Sequence, residues 1–570
     1  MCGIVGLIDL ESQRPVDREL LEQMNQTQIH RGPDGEGVYL APGLGLAHRR
    51  LAIIDLAGSA QPMSTPDGRV TVTYNGEIYN FKELRRELKA QGYLFRTQGD
   101  TEVILYAWLA WGEACVKRLR GIFAFGLWDE AQKVLFLARD PLGVKPLYYA
   151  PFADGWLGFA SELKALKKHP KLDRRLDLEA VEEYLAFGYV PDPKTIYRGA
   201  FKLPPGHTLT VRPGQPLGEP VCYWDVRFAP TVRDAREAAQ GLIAHLKQAV
   251  KMQLVADVPV GAFLSGGVDS SAVVAMMAGL MDRPVEACSI AFGDPAFNET
   301  EYAKEVAGRY GARLCVYQVD PDDFSLLERL SGLYDEPYAD SSALPTYRVC
   351  ELARQQVKVV LSGDGGDENF AGYRRYRWHL YEERLRAWLP LSLRRPLFGL
   401  LGRLYPKLDF APRFLRAKST LESLARDSVE GYFHSVAVLG DGLRAKLYSA
   451  SFKKALAGYR AVSVFYRHLE KAPPHPLSRV QYLDFKTYLP GDILTKVDRA
   501  SMAHSLEVRV PILDPGLVEW VAGLAPELKL RGGEGKYVFK KALEPYLPER
   551  VLYRPKMGFA VPLASWFRGP

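Results

Sequence analysis

The N-terminus of the chain carries a residue that could act as a nucleophile. Cys2 follows Met1 directly, and removal of Met1 would place a thiol and a free α-amino group on one residue. The amine could then act as general base for its own thiol, which is the N-terminal variant of the nucleophile–base pair of covalent catalysis. Taken alone, an incidental terminal cysteine is the simpler interpretation, so the role of Cys2 depends on the rest of the chain.

A turn rich in serine and glycine in the middle of the chain could bind phosphate. It follows an apolar segment at 258–264 and reads Ser265-Gly266-Gly267-Val268-Asp269-Ser270, with a helix predicted from Ser271 onward. Small residues let backbone N–H groups approach an anion, and the helix dipole favours negative charge at its start. Asp269 could hold a magnesium ion that bridges the phosphates. The turn lacks the lysine of a Walker A loop.

A second glycine-rich turn follows the apolar segment at 358–361 and carries three acidic residues. It reads Ser362-Gly363-Asp364-Gly365-Gly366-Asp367-Glu368. Two such turns at the carboxyl ends of parallel strands converge on the crevice where these sheets bind ligands. The acidic side chains would repel a nucleotide unless a metal ion or basic groups intervene. We therefore interpret one of them as a magnesium ligand.

Two patterns of secondary structure must position these groups. Short β-branched or aromatic runs in the first part of the chain predict strands at 37–40, 70–74, 124–129 and 134–138. Helical spacing of apolar residues predicts helices at 81–91 and 101–111, the second with Asp100 as its N-cap. Separate blocks of strands and helices indicate an α+β layered domain. From about Thr231 helical sequence alternates with strands at 258–264, 285–292, 314–319 and 358–362, which indicates a parallel sheet.

Length and composition divide the chain into two domains. A chain of 570 residues is too long for one hydrophobic core. Proline and glycine become frequent at 191–220, which marks the expected end of the first domain. We expect a first domain at 1–210, a connector at 211–234 and a second domain at 235–570.

Cysteine usage and hydropathy predict a cytoplasmic protein without a membrane partner. The six cysteines form no C-x-x-C pair, which argues against a disulfide framework or a zinc site and fits a reducing compartment. No apolar run approaches the roughly 20 residues of a membrane-spanning helix. The N-terminus shows no basic stretch followed by an apolar region, so no signal peptide is expected.

Basic side chains gather mainly at 373–416, although the net charge of +7 is small for this length. Basic residues interleaved with aromatic ones can form a nucleic-acid surface. The stretch also carries Glu382, Glu383 and leucines, so we favour an amphipathic helical insert whose Arg and Lys stems cover apolar surface. We expect no nucleic-acid partner.

The motifs together resemble known families. The turn at Ser265 resembles the pyrophosphate loop of the N-type ATP pyrophosphatases. Together with the turn at Ser362 and the later motifs, it is similar to the glutamine-hydrolysing asparagine synthetases. The first domain independently resembles the class II, or N-terminal-nucleophile, glutamine amidotransferases. The later motifs are Lys496-Val497-Asp498-Arg499-Ala500-Ser501-Met502-Ala503 and Leu506-Glu507-Val508-Arg509-Val510-Pro511. The motifs of the first domain are Cys2-Gly3-Ile4, His30-Arg31-Gly32-Pro33-Asp34-Gly35, His48-Arg49-Arg50-Leu51 and Tyr74-Asn75-Gly76-Glu77-Ile78-Tyr79-Asn80.

This resemblance implies a fold and a set of small-molecule partners. The fold is an N-terminal-nucleophile αββα sandwich followed by an α/β parallel-sheet ATP-pyrophosphatase domain of the adenine-nucleotide α-hydrolase type, with extra helices. The substrates are glutamine, aspartate and ATP, with Mg²⁺ as cofactor, and ammonia passes between the sites through a tunnel at the domain interface. A homodimer is compatible with the resemblance.

The resemblance also implies roles in glutamine hydrolysis. Cys2 attacks the glutamine amide and leaves a glutamyl thioester, while the Asn75 side chain and the Gly76 backbone N–H form the oxyanion hole. Arg50 binds the α-carboxylate of glutamine, and the alignment with Leu51 selects Arg50 over its neighbour Arg49. The residues expected to receive the α-ammonium are Glu77 and Asp100.

In the second domain the resemblance implies that aspartate attacks the α-phosphate of ATP to give β-aspartyl-AMP and pyrophosphate. Ammonia then displaces AMP. Asp364 matches an acidic residue that acts on the acyl-adenylate, although glutamate is common there, and Lys556 matches a lysine that steadies the intermediate and pyrophosphate. Asp269 and Asp367 match the magnesium ligands. The expected nucleotide-binding residues are Leu264, Ser265, Gly266, Gly267, Asp269, Ser270, Ile290, Ser362 and Gly363.

Two alternatives stay open at this point. A related amidotransferase could amidate another carboxylate, because the sequence does not define the acceptor pocket. Residues 335–342 are expected to contribute to that pocket. A nucleic-acid enzyme could share the pyrophosphate loop, but it would predict paired cysteines or a dedicated RNA-binding domain. Asn369 stands where an apolar residue is more usual, which predicts altered packing behind the nucleotide.

Overall fold

The computed structural model describes residues 2–11, 13–293, 298–319, 326–406 and 417–555. Its N-terminal part is built on short strands that alternate between two sheets. They are β1 (Gly3–Asp9), β2 (Gly35–Ala41), β3 (Leu44–Arg50), β4 (Met63–Ser64), β5 (Val70–Ile78), β6 (Gly121–Asp129), β7 (Val134–Arg139), β8 (Tyr148–Pro151), β9 (Trp156–Ala160), β10 (Phe201–Lys202), β11 (His207–Val211) and β12 (Val221–Cys222).

These strands form two antiparallel six-stranded sheets. The first has the order β10-β8-β9-β1-β3-β2 and the second the order β12-β11-β7-β6-β5-β4. The helices of this part are α1 (Arg18–Gln26), α2 (Phe81–Ala90), α3 (Thr101–Trp111), α4 (Leu163–Leu166) and α5 (Leu178–Phe187). One apolar core lies between the sheets and includes Ile4, Leu46 and Leu137. Further cores lie beneath α1 and α4 on the first sheet and beneath α2 and α3 on the second.

This layer order is helix, sheet, sheet, helix, so the predicted αββα sandwich is confirmed. Both faces of each sheet are covered, and the central strands are therefore apolar along their length. All nine residues of β6 are buried, for example. The arrangement places the start of β1 and the end of β5 close together, at the point where the two sheets face each other.

The C-terminal part contains the predicted parallel sheet. Its strands are β13 (Val260–Phe263), β14 (Glu286–Phe292), β15 (Arg313–Val319), β16 (Val359–Leu361) and β17 (Glu507–Arg509). The order is β15-β14-β13-β16-β17, and each neighbouring pair is parallel. The strand order reverses between β13 and β16, and ligands of open α/β sheets bind outside the carboxyl ends of strands at such a switch point. A two-stranded ribbon of β18 (Leu530–Arg531) and β19 (Glu534–Gly535) lies apart from this sheet.

Helices connect these strands and extend the domain. Those around the sheet are α6 (Ala235–Gln253), α7 (Val268–Ala278), α8 (Thr300–Tyr310), α9 (Leu326–Leu333), α10 (Ala343–Arg354) and α11 (Gly366–Phe370). The extra helices include α12 (Arg374–Trp388), α13 (Leu391–Leu404), α14 (Lys418–Leu424), α15 (Ser428–Val436), α16 (Asp441–Leu447), α17 (Ala450–Leu456) and α18 (Ser463–His468). The last group is α19 (Pro476–Lys486), a π-helical turn (Leu489–Leu494), α20 (Thr495–Met502), α21 (Pro515–Ala522), α22 (Pro526–Lys529), α23 (Tyr537–Leu543) and α24 (Glu549–Leu552).

Two local predictions are corrected by the structure. Helix α7 begins at Val268 rather than Ser271, because Gly267 is its N-cap and Asp269 lies in its first turn. Asp100 stands at the N-cap position of α3, but its side chain makes no capping hydrogen bond. The Asp100 carboxylate accepts hydrogen bonds from Tyr74 and Ile78 instead, so it ties α3 to the end of β5.

The expected connector partly continues the second sheet, because β12 pairs with β11 at Thr208 and Val221. The domain boundaries at 210 and 234 stay a prediction. Among the described helices, none has the length and apolar character needed to cross a bilayer.

Candidate active site

Cys2 lies at the start of β1, in the interior of the sandwich, with 8% of its surface exposed. Its backbone N–H donates a hydrogen bond to Asn75 Oδ1 at 2.9 Å, and its thiol lies 3.9 Å from the Leu51 carbonyl oxygen. Burial raises the pKa of the Cys2 thiol, so the thiol needs an adjacent base to react at neutral pH. The role of the Cys2 nitrogen as that base, which requires removal of Met1, stays a prediction.

Asn75 and Gly76, the predicted oxyanion hole, lie in β5, where Asn75 contacts Cys2. The oxygen of the Asn75 side chain is used by Cys2, whereas the buried Nδ2 donor has no hydrogen-bond partner in the described part of the chain. Gly76 has φ +151°, and a Cβ there would lie 2.0 Å from the Ile122 carbonyl oxygen, so the position requires glycine. An unused buried donor is costly in a resting protein and suits charge that develops only during a reaction.

The two adjacent arginines after β3 have different partners. The guanidinium of Arg50 donates to the carbonyl oxygens of Leu56 and Asp55 at 2.8 and 2.7 Å, in the same loop that brings Leu51 to Cys2. Arg49 instead pairs with Glu36 on β2 at 2.6 Å. The structure thus places Arg50 on the loop beside the nucleophile, and its role as carboxylate ligand stays a prediction.

Glu77 and Asp100 are buried close to the same pocket. Burial raises the pKa of Asp100, although Ile78 N–H and the Tyr74 hydroxyl donate to its Oδ2 at 2.9 and 2.8 Å. Burial also raises the pKa of Glu77, which lies 3.7 Å from Arg509 of the second domain. Two buried carboxylates of this kind would gain from a bound ammonium group, and that role stays a prediction.

The predicted phosphate loop is preorganised at the switch point of the parallel sheet. The hydroxyls of Ser265 and Ser270 are 3.0 Å apart, and Gly266 has φ +76°. The second turn packs directly on the first, because a Cβ at Gly363 would lie 2.6 Å from Ser270 N. The two glycine-rich turns therefore converge, as the sequence predicts. Leu264 is buried at the end of the preceding strand and Ile290 in β14.

Lys536 joins the two predicted magnesium ligands. Its ammonium group contacts Asp269 and lies 2.9 Å from Asp367 Oδ1. Burial opposes the charge, but the two carboxylates outweigh it and the pKa of Lys536 is raised. Two carboxylates that converge on one cation fit Mg²⁺, which proteins usually hold through one or two carboxylates together with substrate phosphates. Within the described ranges no three side chains of the metal-binding types cluster, so a metal here would need nucleotide oxygens.

The three acidic residues of the second turn point to different partners. Asp367 faces Lys536, whereas Asp364 accepts a hydrogen bond from Ser362 Oγ at 2.5 Å. Glu368 accepts from the Tyr373 hydroxyl at 2.7 Å, and burial and the nearby Asp367 raise the pKa of Glu368 to about 7. The neighbouring Asn369 is buried and donates to the Ile512 carbonyl oxygen at 2.7 Å, which explains how an amide is accommodated there.

A cavity of about 310 Å³ lies between the two domains, on the side of α20. Its lining carries both signs of charge, from Arg375 and from Asp340, Asp484 and Asp492, and Arg375 pairs with Asp484 at 2.6 Å. Lys496 of α20 donates to Asp340 Oδ2 at 2.7 Å. Burial and Asp340 raise the pKa of Asp492 to about 6. Asp340 belongs to the segment 335–342 that the sequence assigns to the acceptor pocket.

Arg31 connects the nucleophile to the second domain. It is fully buried, and its Nε donates to the Cys2 carbonyl oxygen at 3.0 Å. Its two terminal nitrogens bind Asp498 of α20 at 2.8 and 2.9 Å, across 467 residues of sequence, and one of them also binds Glu162 at 2.9 Å. Lys496 lies on the same helix as Asp498 and binds Asp340 of the cavity lining, so α20 connects Arg31 beside Cys2 to the cavity wall.

Sequence reasoning assigned no role to Lys536, Arg31 or Asp498. Arg31 and Asp498 stand inside motifs that carried the resemblance, and Lys536 follows the glycine-rich segment 532–535. These sequence contexts do not reveal the contacts, because Arg31 binds Asp498, and Lys536 binds Asp269 and Asp367, across long stretches of sequence. Lys556 lies outside the described residues, so its predicted role rests on the sequence.

Comparisons with known proteins agree with this geometry. The two parts have the architecture of a glutamine amidotransferase joined to a nucleotide-binding parallel-sheet domain. The glutamine amidotransferase domain family matches residues 1–224, and the asparagine synthase family matches residues 241–570. The chain belongs to the asparagine synthase family.

Full-length relatives carry the corresponding names. "Asparagine synthetase [glutamine-hydrolyzing] 1" of Bacillus subtilis is 36% identical, over 100% of this chain and 88% of its own length. A putative asparagine synthetase of Mycobacterium bovis is 38% identical, over 95% of this chain and 83% of its own length. The predicted family and enzyme class, an ATP-dependent ligase that uses glutamine as amide donor, are thereby confirmed.

Proposed function

We propose that this protein is a glutamine-dependent asparagine synthetase with two connected active sites. Cys2 hydrolyses glutamine in the first domain, and ATP activates aspartate at the switch point of the second. The observation that carries the proposal is the hydrogen bond between Cys2 and Asn75, in a chain whose second domain packs two glycine-rich turns against each other. Either half alone would support only a hydrolase or a nucleotide-binding domain.

Glutamine hydrolysis begins with the Cys2 sulfur attacking the amide carbon. The α-amino group, free once Met1 is removed, takes the thiol proton and later gives it to the departing ammonia. Asn75 Nδ2 and the Gly76 N–H bind the oxyanion of the tetrahedral intermediate, and the donation from Cys2 N to Asn75 Oδ1 fixes both partners of the step. Water then hydrolyses the thioester and releases glutamate.

The second domain holds ATP by its phosphates. Backbone N–H groups of the turn from Ser265 to Ser270 and the start of α7 would face the phosphates. Asp269 and Asp367 would hold Mg²⁺, whose chemistry is to neutralise phosphate charge. Lys536, which contacts both carboxylates, would add a positive charge beside the same phosphates. Asp364, one turn away, is proposed to act on the acyl-adenylate.

The cavity beside α20 is the proposed site of the acceptor. Aspartate carries two carboxylates and one ammonium group, and the cavity offers both signs of charge. Arg375 would bind a carboxylate alongside its partner Asp484, and Asp492 would bind the ammonium, since Asp340 already pairs with Lys496. Ammonia from Cys2 would cross the domain interface and displace AMP from β-aspartyl-AMP, which forms the asparagine amide.

An acceptor assay tests the proposal. Purified protein with glutamine, ATP, magnesium and aspartate is expected to form asparagine, with AMP and pyrophosphate in equal amounts. The proposal fails if aspartate does not raise AMP and pyrophosphate above the level without acceptor. Omitting magnesium, with EDTA present, is expected to abolish AMP formation but leave glutamine hydrolysis measurable.

A related amidotransferase for a larger carboxylate is the second candidate. The cavity falls at the lower end of the roughly 300–1,000 Å³ of pockets for drug-sized ligands. An amidase of Gibberella zeae is 28% identical over 100% of this chain and 90% of its own length. Screening carboxylates in the same assay decides between the two, since the second candidate predicts a greater kcat/KM for another acid than for aspartate.

A further inference from the structure

Helices α12 and α13 expose apolar side chains in two helical stripes. On α12 the stripe is formed by Trp378, Tyr381, Leu385 and Trp388, and on α13 by Leu393, Leu397, Leu400 and Leu404. Trp388 is 87% exposed and Leu404 71%, and the other six are at least 40% exposed. The spacings of three and four residues place each set on one face of its helix. We call these two faces the α12–α13 surface.

The opposite face of α12 is mostly polar and buried, whereas that of α13 combines the buried Arg394 and Gly402 with the half-buried Leu391 and Phe398. Arg386 of α12 donates to the Ser423 carbonyl oxygen at 3.0 Å, and Arg394 of α13 donates to carbonyl oxygens of Leu424 and Arg426, the latter at 2.9 Å. Both helices therefore pack on α14 and the turn that follows it through buried arginines. The polarity of α12 is therefore inverted relative to an ordinary surface helix, which turns its apolar side chains inward, and α13 is apolar on both faces. The expected cover by arginine side chains is partial, since Arg374 lies over the Trp378 ring and Arg384 over the Tyr381 ring, and the stripe residues stay at least 40% exposed.

The charge around the α12–α13 surface is strongly positive. Residues 374–404 contain eight arginines and two glutamates. Both glutamates pair with Arg386, at 3.0 and 2.7 Å, so they do not offset the arginines on the outside. Four exposed arginines have no ion-pair partner within the described ranges, and they are Arg374, Arg384, Arg395 and Arg403.

We propose that the α12–α13 surface binds the protein peripherally to an anionic lipid surface. Leucine stripes bounded by arginines, with tryptophan and tyrosine among them, match helices that lie in the plane of a membrane interface. The 14 residues of α13 are too few to span a bilayer. This inference departs from the expectation, drawn from the sequence, that no membrane is involved.

Other occupants fit the surface less well. A second copy related by a two-fold axis would bring the basic surfaces of the two copies together, and like charges in contact oppose association. A nucleic acid would satisfy the arginines and could stack on Trp388, but it offers nothing to the four leucines of α13. An anionic lipid surface satisfies both the charge and the apolar side chains.

Vesicle co-sedimentation of the full-length protein tests the proposal. Wild-type protein is expected to sediment with vesicles of phosphatidylcholine and phosphatidylglycerol, much less with phosphatidylcholine alone, and less as salt rises. Serine at three leucines of the stripe should weaken binding by at least about tenfold, since lipid binding scales with buried apolar area. Each exposed arginine changed to glutamine should weaken it by about fivefold, or ~1 kcal/mol. The leucine variant is L397S/L400S/L404S.

Matched controls remove exposed side chains elsewhere. The leucine control changes three exposed leucines distant in sequence, and the arginine control changes four exposed arginines outside 374–404. Both controls are expected to bind vesicles like the wild type and all variants to keep the wild-type circular dichroism spectrum. The control variants are L94S/L443S/L447S and R86Q/R175Q/R313Q/R550Q.

Three results would overturn the proposal. The first is wild-type protein that does not sediment with anionic vesicles. The second is binding that the controls lose as fully as the stripe variants. The third is dimerisation or RNA binding by the wild type that the leucine variant loses, although the same variant still binds vesicles. That result would assign the surface to a second copy or to nucleic acid.

Discussion

Asp498→Asn tests whether the domain interface positions the nucleophile. Asp498 accepts both terminal nitrogens of the buried Arg31, at 2.8 and 2.9 Å, and Arg31 in turn donates to the Cys2 carbonyl oxygen. An amide in place of the carboxylate keeps one acceptor oxygen, but its NH₂ group would face an N–H donor of Arg31. The variant therefore loses one charged hydrogen bond and the attraction of the pair.

The expected loss of unfolding free energy depends on the partners that Arg31 keeps in the variant. Removing one member of a buried ion pair typically destabilises a protein by about 3–5 kcal/mol, because the other charge is left uncompensated. Here Glu162 still lies 2.9 Å from Arg31, so we expect a smaller loss of unfolding free energy, about 2–3 kcal/mol. Glutaminase kcat should fall, and ammonia-dependent synthesis should fall less, since only the first site includes Cys2.

Asp514→Asn is the matched control for this prediction. Asp514 also binds an arginine of the other domain through both oxygens, with Arg120 at 2.9 and 2.5 Å. Arg120 is 24% exposed although Asp514 is buried, and asparagine keeps the N-cap of α21. Because solvent reaches Arg120 and asparagine retains one acceptor, we expect about 1–2 kcal/mol of destabilisation and unchanged glutaminase kcat.

Chemical denaturation and glutaminase assays of the two variants decide the matter. The reasoning is refuted if Asp498→Asn unfolds at the wild-type denaturant midpoint with wild-type glutaminase activity. It is also refuted if Asp514→Asn impairs the glutaminase equally, because the effect would then come from general loosening of the domains.

Three further predictions concern single side chains. Asn75→Asp keeps the acceptor for Cys2 N but removes the Nδ2 donor, so glutaminase kcat should fall by at least about 10²-fold while ammonia-dependent synthesis persists, and steady-state assays with each nitrogen source check this. Lys536→Met removes the cation between Asp269 and Asp367, so Mg²⁺ alone should raise the melting temperature of the variant more than that of the wild type, and an equal shift contradicts the shared site. Lys529 is fully buried, and burial lowers its pKa to about 7. Between pH 7 and about 10.5 the Lys529 amine is protonated in the unfolded chain but neutral in the folded protein. The free energy of unfolding of the wild type should therefore rise with pH in that window. Lys529→Met should be more stable at pH 7, by about 2–4 kcal/mol, with a flatter pH profile in denaturant titrations.

Local patterns in the sequence predict most of the secondary structure near the sites. The helix Thr101–Trp111 has the predicted bounds, because its apolar spacing and the preceding Asp100 are local signals. The same locality explains the error at that residue. The capping role assigned to Asp100 depends on where its side chain points, and Tyr74 and Ile78 determine that through contacts that no local pattern records.

The candidate sites divide in the same way. Cys2, Asn75 and the turn at Ser265 lie in short contiguous motifs whose residue types indicate a chemistry, so their roles can be predicted from the sequence. Arg31 and Lys536 obtain their roles from partners hundreds of residues away, and an arginine or lysine in a loop carries no signal of such a partner. The inverted α12 is a similar case, since helical periodicity predicts an apolar face but not the side on which α14 packs.

The most direct test of the two-site account is a Cys2→Ala variant assayed with each nitrogen source. Glutamine-dependent asparagine synthesis should be lost, while ammonia-dependent synthesis, with its AMP and pyrophosphate, should continue at close to the wild-type rate. Loss of both activities in a folded variant, or retention of glutamine-dependent synthesis, would contradict the account.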